Sequence, residues 1–265
     1  MMKFKFINTI LFFIFIVPMI ILCIWSITAR WPWPFLLPSH FSLRGAEEIM
    51  RQSERLRKSI FSSIVISSSV ALISTIISLL SARAMVWSER GLNKFIKLTL
   101  SLPFITPVIV FATGIHQKMI QWGLANTIGG VILTHLVYSL PYASFIIFDA
   151  YQALGIKQEE QAWLLGANHW QAFIRIALPQ LTPVLFTSLA MSYIVSFSQY
   201  FLTLMIGGGQ VQTLSILIFP YLQSNDRTIA SNYSLLFLVI TLLVIGGFNL
   251  LSKWMQRDYQ SIKYY

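Results

Sequence analysis

Residues 127–148 read TIGGVILTHLVYSLPYASFIIF and contain no Asp, Glu, Lys or Arg. The hydrocarbon core of a bilayer is about 30 Å thick, and a helix of roughly 20 apolar residues crosses it. Within that core every backbone N–H and C=O needs a partner in the protein, and a helix finds those partners in its own segment. The stretch therefore predicts a transmembrane helix. A barrel strand would be about half as long and would alternate apolar with polar residues.

Runs of the same kind recur along the whole chain and leave no room for a separate soluble domain. We predict six transmembrane helices, at about residues 7–28, 60–81, 98–117, 127–148, 181–205 and 232–251. The first run follows Lys3 and Lys5, as a signal peptide would, but it is longer than the usual 7–15 apolar residues. We therefore interpret it as a retained helix. The predicted fold is an all-α polytopic membrane helix bundle, with residues 1–265 as one domain.

The composition agrees with a membrane protein, because 56% of the residues are hydrophobic and only 11% are charged, against about 25% in soluble domains. The net charge of +10 does not indicate a nucleic-acid partner, since the basic residues lie between apolar runs. The single cysteine, Cys23, permits no disulfide within the chain and no cysteine metal cluster. No phosphate-binding glycine loop is found either. We expect no cofactor, no metal and no catalytic residue, and membrane lipid as the surroundings.

Six crossings place both termini on one side of the membrane. Basic residues favour the cytoplasm for the termini, although the first external loop, at about residues 29–58, carries six of them and weakens the bias. We predict cytoplasmic termini, with Ser88 inside and Glu47 and Asn225 outside. Trp25, Trp31 and Trp33 would then form an aromatic belt at the outer interface.

The longest predicted cytoplasmic connection, residues 149–180, reads DAYQALGIKQEEQAWLLGANHWQAFIRIALPQ. Its pattern predicts a first helix over Ala153–Leu165, ended by a left-handed Gly166. A second helix begins at Asn168, whose side chain can form a capping box with Gln171. Two short helices joined by a tight turn make a rigid lever that projects from the bilayer.

The end of this connection carries two prolines. Pro179 is predicted to break the second helix, because proline lacks the N–H that a helix interior needs. Thr182 followed by Pro183 then predicts a new helix start, with an N-cap and a proline at the first position.

The connection resembles the cytoplasmic "EAA" signature of ABC-importer permeases, E-A-A-x3-G-x9-I-x-L-P. Glu160-Gln161-Ala162, Gly166 and Ile176-Ala177-Leu178-Pro179 match every spacing, and Gln161 replaces the second-position alanine. The resemblance extends over most of residues 60–250. It implies an inner-membrane permease that pairs with a second, homologous permease subunit, a cytoplasmic ABC ATPase dimer and an extracytoplasmic substrate-binding protein. The residues implied to couple to the ATPase are Glu159, Glu160, Gln161, Ala162, Gly166, Ile176, Leu178 and Pro179.

Polar side chains in the fourth and fifth predicted spans must face the bundle interior. They could line a substrate path or form hydrogen bonds between helices, and the sequence favours neither alternative. These candidates are Tyr142, Ser196, Ser198, Gln199, Tyr200 and Thr203. The histidines His116 and His135 are interpreted as interface or packing residues, since no Asp or Glu lies in a predicted span.

Two other functions remain open alternatives to a permease. An ion-coupled secondary transporter acting alone would need intramembrane acids or inverted repeats, and a membrane-embedded enzyme would need convergent catalytic groups. The sequence presents neither. The substrate stays unresolved, because selectivity in the resembling family rests on the binding protein. The stretch Phe197–Leu214 is similar to the polyamine, thiamine, iron or oxyanion branch.

Overall fold

The computed structural model describes residues 2–29, 40–87, 90–224 and 226–262. These ranges form twelve α-helices, with one π-helical turn, Phe173–Ala177, between the eighth and ninth. In chain order the helices are α1 Met2–Ser26, α2 Arg44–Arg51, α3 Ser53–Trp87, α4 Arg90–Ile105, α5 Val108–Gln121, α6 Ile128–Leu154, α7 Lys157–Leu164, α8 His169–Ala172, α9 Leu178–Phe197, α10 Phe201–Gly207, α11 Leu214–Gln223 and α12 Arg227–Ile262. The all-α fold class is confirmed. Ser88, Asn225, Trp31 and Trp33, which the topology prediction uses, lie outside the described residues.

Four helices among the described residues are long and apolar enough to cross a bilayer: Ser53–Trp87, Ile128–Leu154, His169–Phe197 and Arg227–Met255. They contain the second and sixth predicted spans and all but the first residue of the fourth, and they cover the fifth as far as Phe197. A bent pair, Asn93–Ile105 with Val108–Gln121, passes the same test together and could supply a fifth crossing. α1 covers the first predicted span, whose passage through the membrane stays a prediction.

The third predicted span, residues 98–117, is wrong as a single helix, because α4 and α5 meet at an angle of 103°. Pro107 has no N–H to continue the helix, and its extended backbone (ψ 132°) forms the N-cap of α5. A proline also disfavours the helical conformation of the residue before it, here Thr106. The freed Thr106 carbonyl accepts a hydrogen bond from the Tyr138 hydroxyl at 3.2 Å, so α6 fastens the bend.

The fifth predicted span, residues 181–205, also differs from the structure. α9 already ends at Phe197, and α10 begins only at Phe201. The polar residues Ser198, Gln199 and Tyr200 form the connection between them. No Gly or Pro in this stretch signals the interruption.

The expected break at Pro179 is wrong as well. Pro179 lies in the first turn of α9, directly after the π-helical turn, and the helix runs from His169 to Phe197 without a break. The π-helical turn before it is wider than an α-helical turn, which gives the proline ring room. Thr182 does not cap a new helix, since its hydroxyl donates to the Leu178 carbonyl at 3.0 Å and the helix continues through Pro183.

The described residues divide into two compact units, and α3 and α12 each contribute residues to both. The first unit comprises Met1–Ile60 and Thr213–Leu242. In it, Arg44 donates to both carboxylate oxygens of Asp226, at 2.6 and 2.7 Å. Gly45 lies so close to Asn232 that an added Cβ would be 2.1 Å from its Nδ2. These contacts fasten α2 to the start of α12.

The second unit comprises Phe61–Gln212 and Leu243–Tyr265. Its core is built on α3, α6 and α9, which exchange hydroxyl hydrogen bonds: Thr75 with Ser188 at 3.2 Å, and Ser78 with Ser144 at 2.8 Å. Small residues let helices approach closely in a membrane, where apolar contact between helices gains little over contact with lipid. The buried serines of α3 therefore act in the packing of this helix against its neighbours.

The chain turns sharply at the end of α10, where Gly208 and Gly209 both have positive φ, at 51° and 78°. Gly208 lies against Asn126, whose backbone N–H donates to the Ile206 carbonyl at 2.7 Å. A Cβ added to Gly208 would be 1.8 Å from Asn126 Oδ1, whereas one added to Gly209 would meet nothing within 4 Å. The loop before α6 and the end of α10 therefore interlock at Gly208.

We expect Gly208→Ala to destabilise the protein by about 1–3 kcal/mol more than Gly209→Ala, because both carry the cost of positive φ but only the first overpacks. Thermal unfolding of the detergent-purified variants measures the difference. Adding Asn126→Gly to Gly208→Ala should recover part of the loss. Equal melting temperatures for the two alanine variants would contradict the interlock.

Candidate functional site

The connection between α6 and α9, together with the ends of both helices, comprises residues 149–180, is here called the coupling loop after its predicted role, and folds as two arms. Its first arm is α7, which begins after Gly155 instead of at Ala153, because Gly155 adopts φ 70° and ends α6. The predicted turn at Gly166 is confirmed, with φ 92°. The second arm starts with the predicted capping box: Asn168 Oδ1 accepts from the Gln171 N–H at 2.8 Å, and Gln171 Oε1 accepts from the Asn168 N–H at 3.0 Å.

The two faces of α7 have opposite surroundings. Glu159 and Ala162 are buried within the chain, at 1% and 8% exposure. Glu160 and Gln161 are exposed. Leu164 and Leu165 follow at the tip of the loop and are 88% and 89% exposed. Two leucines so fully exposed next to a rigid turn form an apolar surface that lacks a partner within the described chain.

The buried Glu159 side chain connects three helices. Its Oε1 accepts a hydrogen bond from the Tyr151 hydroxyl of α6 at 2.5 Å, and its Oε2 accepts from Arg83 of α3 at 3.0 Å. A buried carboxylate is costly unless it is paired and hydrogen-bonded, and here both oxygens have partners. The sequence missed Arg83 and Tyr151, since nothing in the local pattern associates them with the coupling loop.

Arg83 also holds the second arm. Its guanidinium donates to the His169 carbonyl at 3.0 Å and lies over the Phe173 ring, 4.5 Å from the centroid. Trp163 of α7 stacks on Trp87 of α3 at 4.7 Å and meets the His169 ring edge-on at 4.1 Å. Both arms of the coupling loop are thus attached to the end of α3.

The last residues of the "EAA" signature pack the second arm of the coupling loop against the helices. Leu178 packs on a core cluster that includes Ile147, Tyr151 and Phe173. Ile176 is half-buried, and its carbonyl accepts from the Gln180 side chain at 3.0 Å. Pro179 lies in the first turn of α9, as described above. These three residues lie where the second arm joins the helix that crosses the membrane.

The polar candidates of the fourth and fifth spans separate into two groups. Ser196 and Thr203 are buried and hydrogen-bond to the two ring nitrogens of the buried His135, at 2.9 and 3.0 Å. The Thr203 hydroxyl donates its one proton to the Gln199 carbonyl, so it accepts from His135 Nε2–H. Nδ1 of the same neutral ring then accepts from Ser196. This network joins helices, as the packing interpretation of His135 predicts.

The remaining candidates are more accessible. Ser198 is exposed, and Gln199 and Tyr200 are half-buried at the break between α9 and α10. Tyr142 of α6 is half-buried and contacts the Phe104 ring edge-on at 4.9 Å. Of the six candidates, these four retain the accessibility that a substrate path requires.

Comparison with known proteins gives one family. Residues 73–259 match the family described as "Binding-protein-dependent transport system inner membrane component". The chain is 30% identical over 127 residues to the sulfate transport system permease protein CysT of Escherichia coli, an alignment that covers 47% of this chain and 46% of that protein. A probable sulfate permease of Chlorokybus atmophyticus is 23% identical, over 86% of this chain and 90% of its own length.

A solved structure has a similar fold. A bacterial ABC transporter that imports the acidic polysaccharide alginate contains a chain with a TM-score of 0.70. It is 19% identical and covers 95% of this chain and 94% of its own length. At this identity the likeness concerns the helical fold alone.

Proposed function

The chain belongs to the family of binding-protein-dependent transport system inner membrane components, and we propose that its coupling loop docks on a separate ATPase. As a member it is a multi-pass inner-membrane permease subunit of an ABC importer and not itself an enzyme. A solitary ion-coupled carrier is no longer a candidate. Within the importer, the proposed role of this chain is to form half of the translocation pathway and to move when the ATPase moves.

The observation that carries the proposal is the tip of the coupling loop, where Leu164 and Leu165 are exposed beside the acid Glu160. Burying a leucine is worth about 1.5–3 kcal/mol. The acid lies in the first turn of α7, where the helix dipole favours it. A groove of the ATPase with apolar walls and a basic rim would fit this surface.

We propose that Gly166 fixes the angle between the two arms. Its φ of 92° strains any β-branched residue by about 1–3 kcal/mol, although a Cβ there would meet nothing within 4 Å. Gly166→Val should therefore reduce uptake while insertion stays normal. Gly246→Val is the control, since Gly246 is also in open space but lies within a helix. Normal transport by Gly166→Val would refute a fixed turn.

The transported solute is proposed to be an inorganic oxyanion such as sulfate. Support comes from the printed functions of the Escherichia coli and Chlorokybus relatives. Selectivity would rest on the binding protein, and the half-buried polar residues Tyr142, Gln199 and Tyr200 with exposed Ser198 would line an uncharged path.

The experiment is reconstitution of the purified importer in proteoliposomes, with radiolabelled sulfate and the binding protein on one side and ATP on the other. We expect uptake that requires ATP, the ATPase and the binding protein. Molybdate and a neutral sugar serve as comparison solutes. Sulfate uptake by the isolated chain without ATP would overturn the permease role. Uptake of the neutral sugar but of neither oxyanion would overturn the oxyanion assignment.

The full topology, with six crossings and cytoplasmic termini, is part of the proposal because the coupling loop must meet a cytoplasmic ATPase. Single cysteines test this topology in a chain that carries Cys23→Ser. They replace the exposed residues Gln158 and Trp122, which stand in for Ser88 and Asn225 of the sequence prediction. In intact cells an impermeant thiol reagent should label position 122 and not position 158. The opposite labelling pattern would invert the topology.

A further inference from the structure

The two adjacent acids of the coupling loop have different surroundings. Glu160 is exposed, and Glu159 is 1% exposed with both carboxylate oxygens engaged by Tyr151 and Arg83. An exposed acid is available to a partner subunit. A buried acid that is satisfied within the chain is not. Glu159 must therefore act on the permease itself.

The contacts of Glu159 bridge the glycine that separates α6 from α7. Tyr151 lies before Gly155 and Glu159 after it, and Gly155 has φ 70° with no atom near its absent Cβ. Without a cross-link, rotation at Gly155 would let α7 move independently of α6. The hydrogen bond from Tyr151 to Glu159 closes this joint.

Arg83 extends the connection to α3 and to the second arm. The same guanidinium donates to Glu159 Oε2 and to the His169 carbonyl, and the Phe173 ring lies beneath it. Because its side chain is only 18% exposed, the ion pair is largely shielded from water. Water and salt therefore weaken it much less than an exposed pair.

We propose that Arg83, Tyr151 and Glu159 form a clamp that makes the coupling loop move as one body with α3 and α6. The inference rests on the proposed docking of an ATPase to this loop. All three are positioning residues and touch neither ATP nor solute. When the ATPase displaces the tip of the loop, the clamp transmits the displacement to the helices. Without the clamp, rotation at Gly155 takes up the displacement, and it does not reach α3 and α6.

The test compares the complete importer carrying Glu159→Gln, Arg83→Met, both changes together, or Tyr151→Phe. In proteoliposomes, sulfate uptake and ATP hydrolysis are measured on the same sample, together with the amount of ATPase that co-purifies. We expect normal ATPase content, continued hydrolysis and a ratio of uptake to hydrolysis about tenfold lower for each single charge variant. Lys157→Gln, which changes an exposed residue of the same helix, should leave the ratio unchanged.

The double variant separates positioning from folding. Removing both charges leaves no unpaired buried ion, so its expression should recover relative to the single charge variants, while the ratio stays low. Tyr151→Phe leaves the ion pair intact and should lower the ratio only severalfold. A normal ratio in the double variant, or loss of the ATPase from all variants, would overturn the clamp. A wild-type importer that contains no ATPase would overturn the proposed docking. A wild-type importer that retains the ATPase but takes up no sulfate would overturn the oxyanion assignment instead. In that case the ratio of uptake to hydrolysis is measured with the solute that this importer transports.

Discussion

A permease with Leu164→Asp and Leu165→Asp should insert into the membrane normally and retain almost no ATPase during purification. Each leucine is almost fully exposed in the chain alone, so the substitution removes little from its own stability. In the docked state the loss would be about 3–6 kcal/mol of apolar burial, or roughly 140- to 20,000-fold in affinity. Co-purification with a tagged ATPase measures it.

A matched control adds two acids elsewhere on the loop. Gln152 and Ala153 are exposed in the last turn of α6. Gln152→Asp with Ala153→Asp introduces the same charge away from the tip. We expect this variant to keep the ATPase. If the leucine variant keeps it equally well, the tip of the coupling loop is not the docking surface.

Glu160→Lys should act in the same direction with a different salt dependence. At a basic rim, this change replaces attraction by like-charge repulsion, and charges at the rim of an interface are screened by salt. Binding by the wild-type chain should weaken at high salt, and binding by the charge-reversed chain should not. Unchanged ATPase retention would remove Glu160 from the contact.

The sequence predicts the second, fourth and sixth spans closely, because one quantity, an uninterrupted apolar length, decides them. It also predicts the turn at Gly166 and the cap at Asn168, which depend on residues close in the chain. The bend at Pro107 had a local signal, a second proline four residues after Pro103, but the length criterion outweighed it. The interruption at Ser198 had no such signal.

The roles of the individual coupling residues could not be predicted in the same way. Glu159 and Glu160 are adjacent acids of one helix, and the buried one is distinguished by its contacts with Tyr151 and with Arg83, 76 residues earlier in the chain. From hydrophobicity alone, Leu164 would be buried within the chain and Ala162 would be exposed. The structure reverses this arrangement, and the reversal is the reason for proposing a docking surface at the tip of the coupling loop.

Ala162→Trp distinguishes these two interpretations. The sequence suggests that Ala162 offers a small surface to the ATPase, so that a Trp would block docking by its bulk. The structure buries Ala162 at 8% exposure, so a Trp there must first displace α7 from its own chain. Overpacking of this kind costs about 1–3 kcal/mol.

We therefore expect Ala162→Trp to loosen the coupling loop even when no ATPase is present. Trypsin cleavage after the exposed Lys157 should be about 5- to 150-fold faster than in the wild-type chain, because cleavage follows the population of the opened loop. Gln161→Trp is the matched variant: Gln161 is exposed on the same helix, so its Trp should hinder docking and leave cleavage unchanged. If Ala162→Trp lost the ATPase while its cleavage rate stayed normal, Ala162 would contact the partner directly and the buried face of α7 would be wrong.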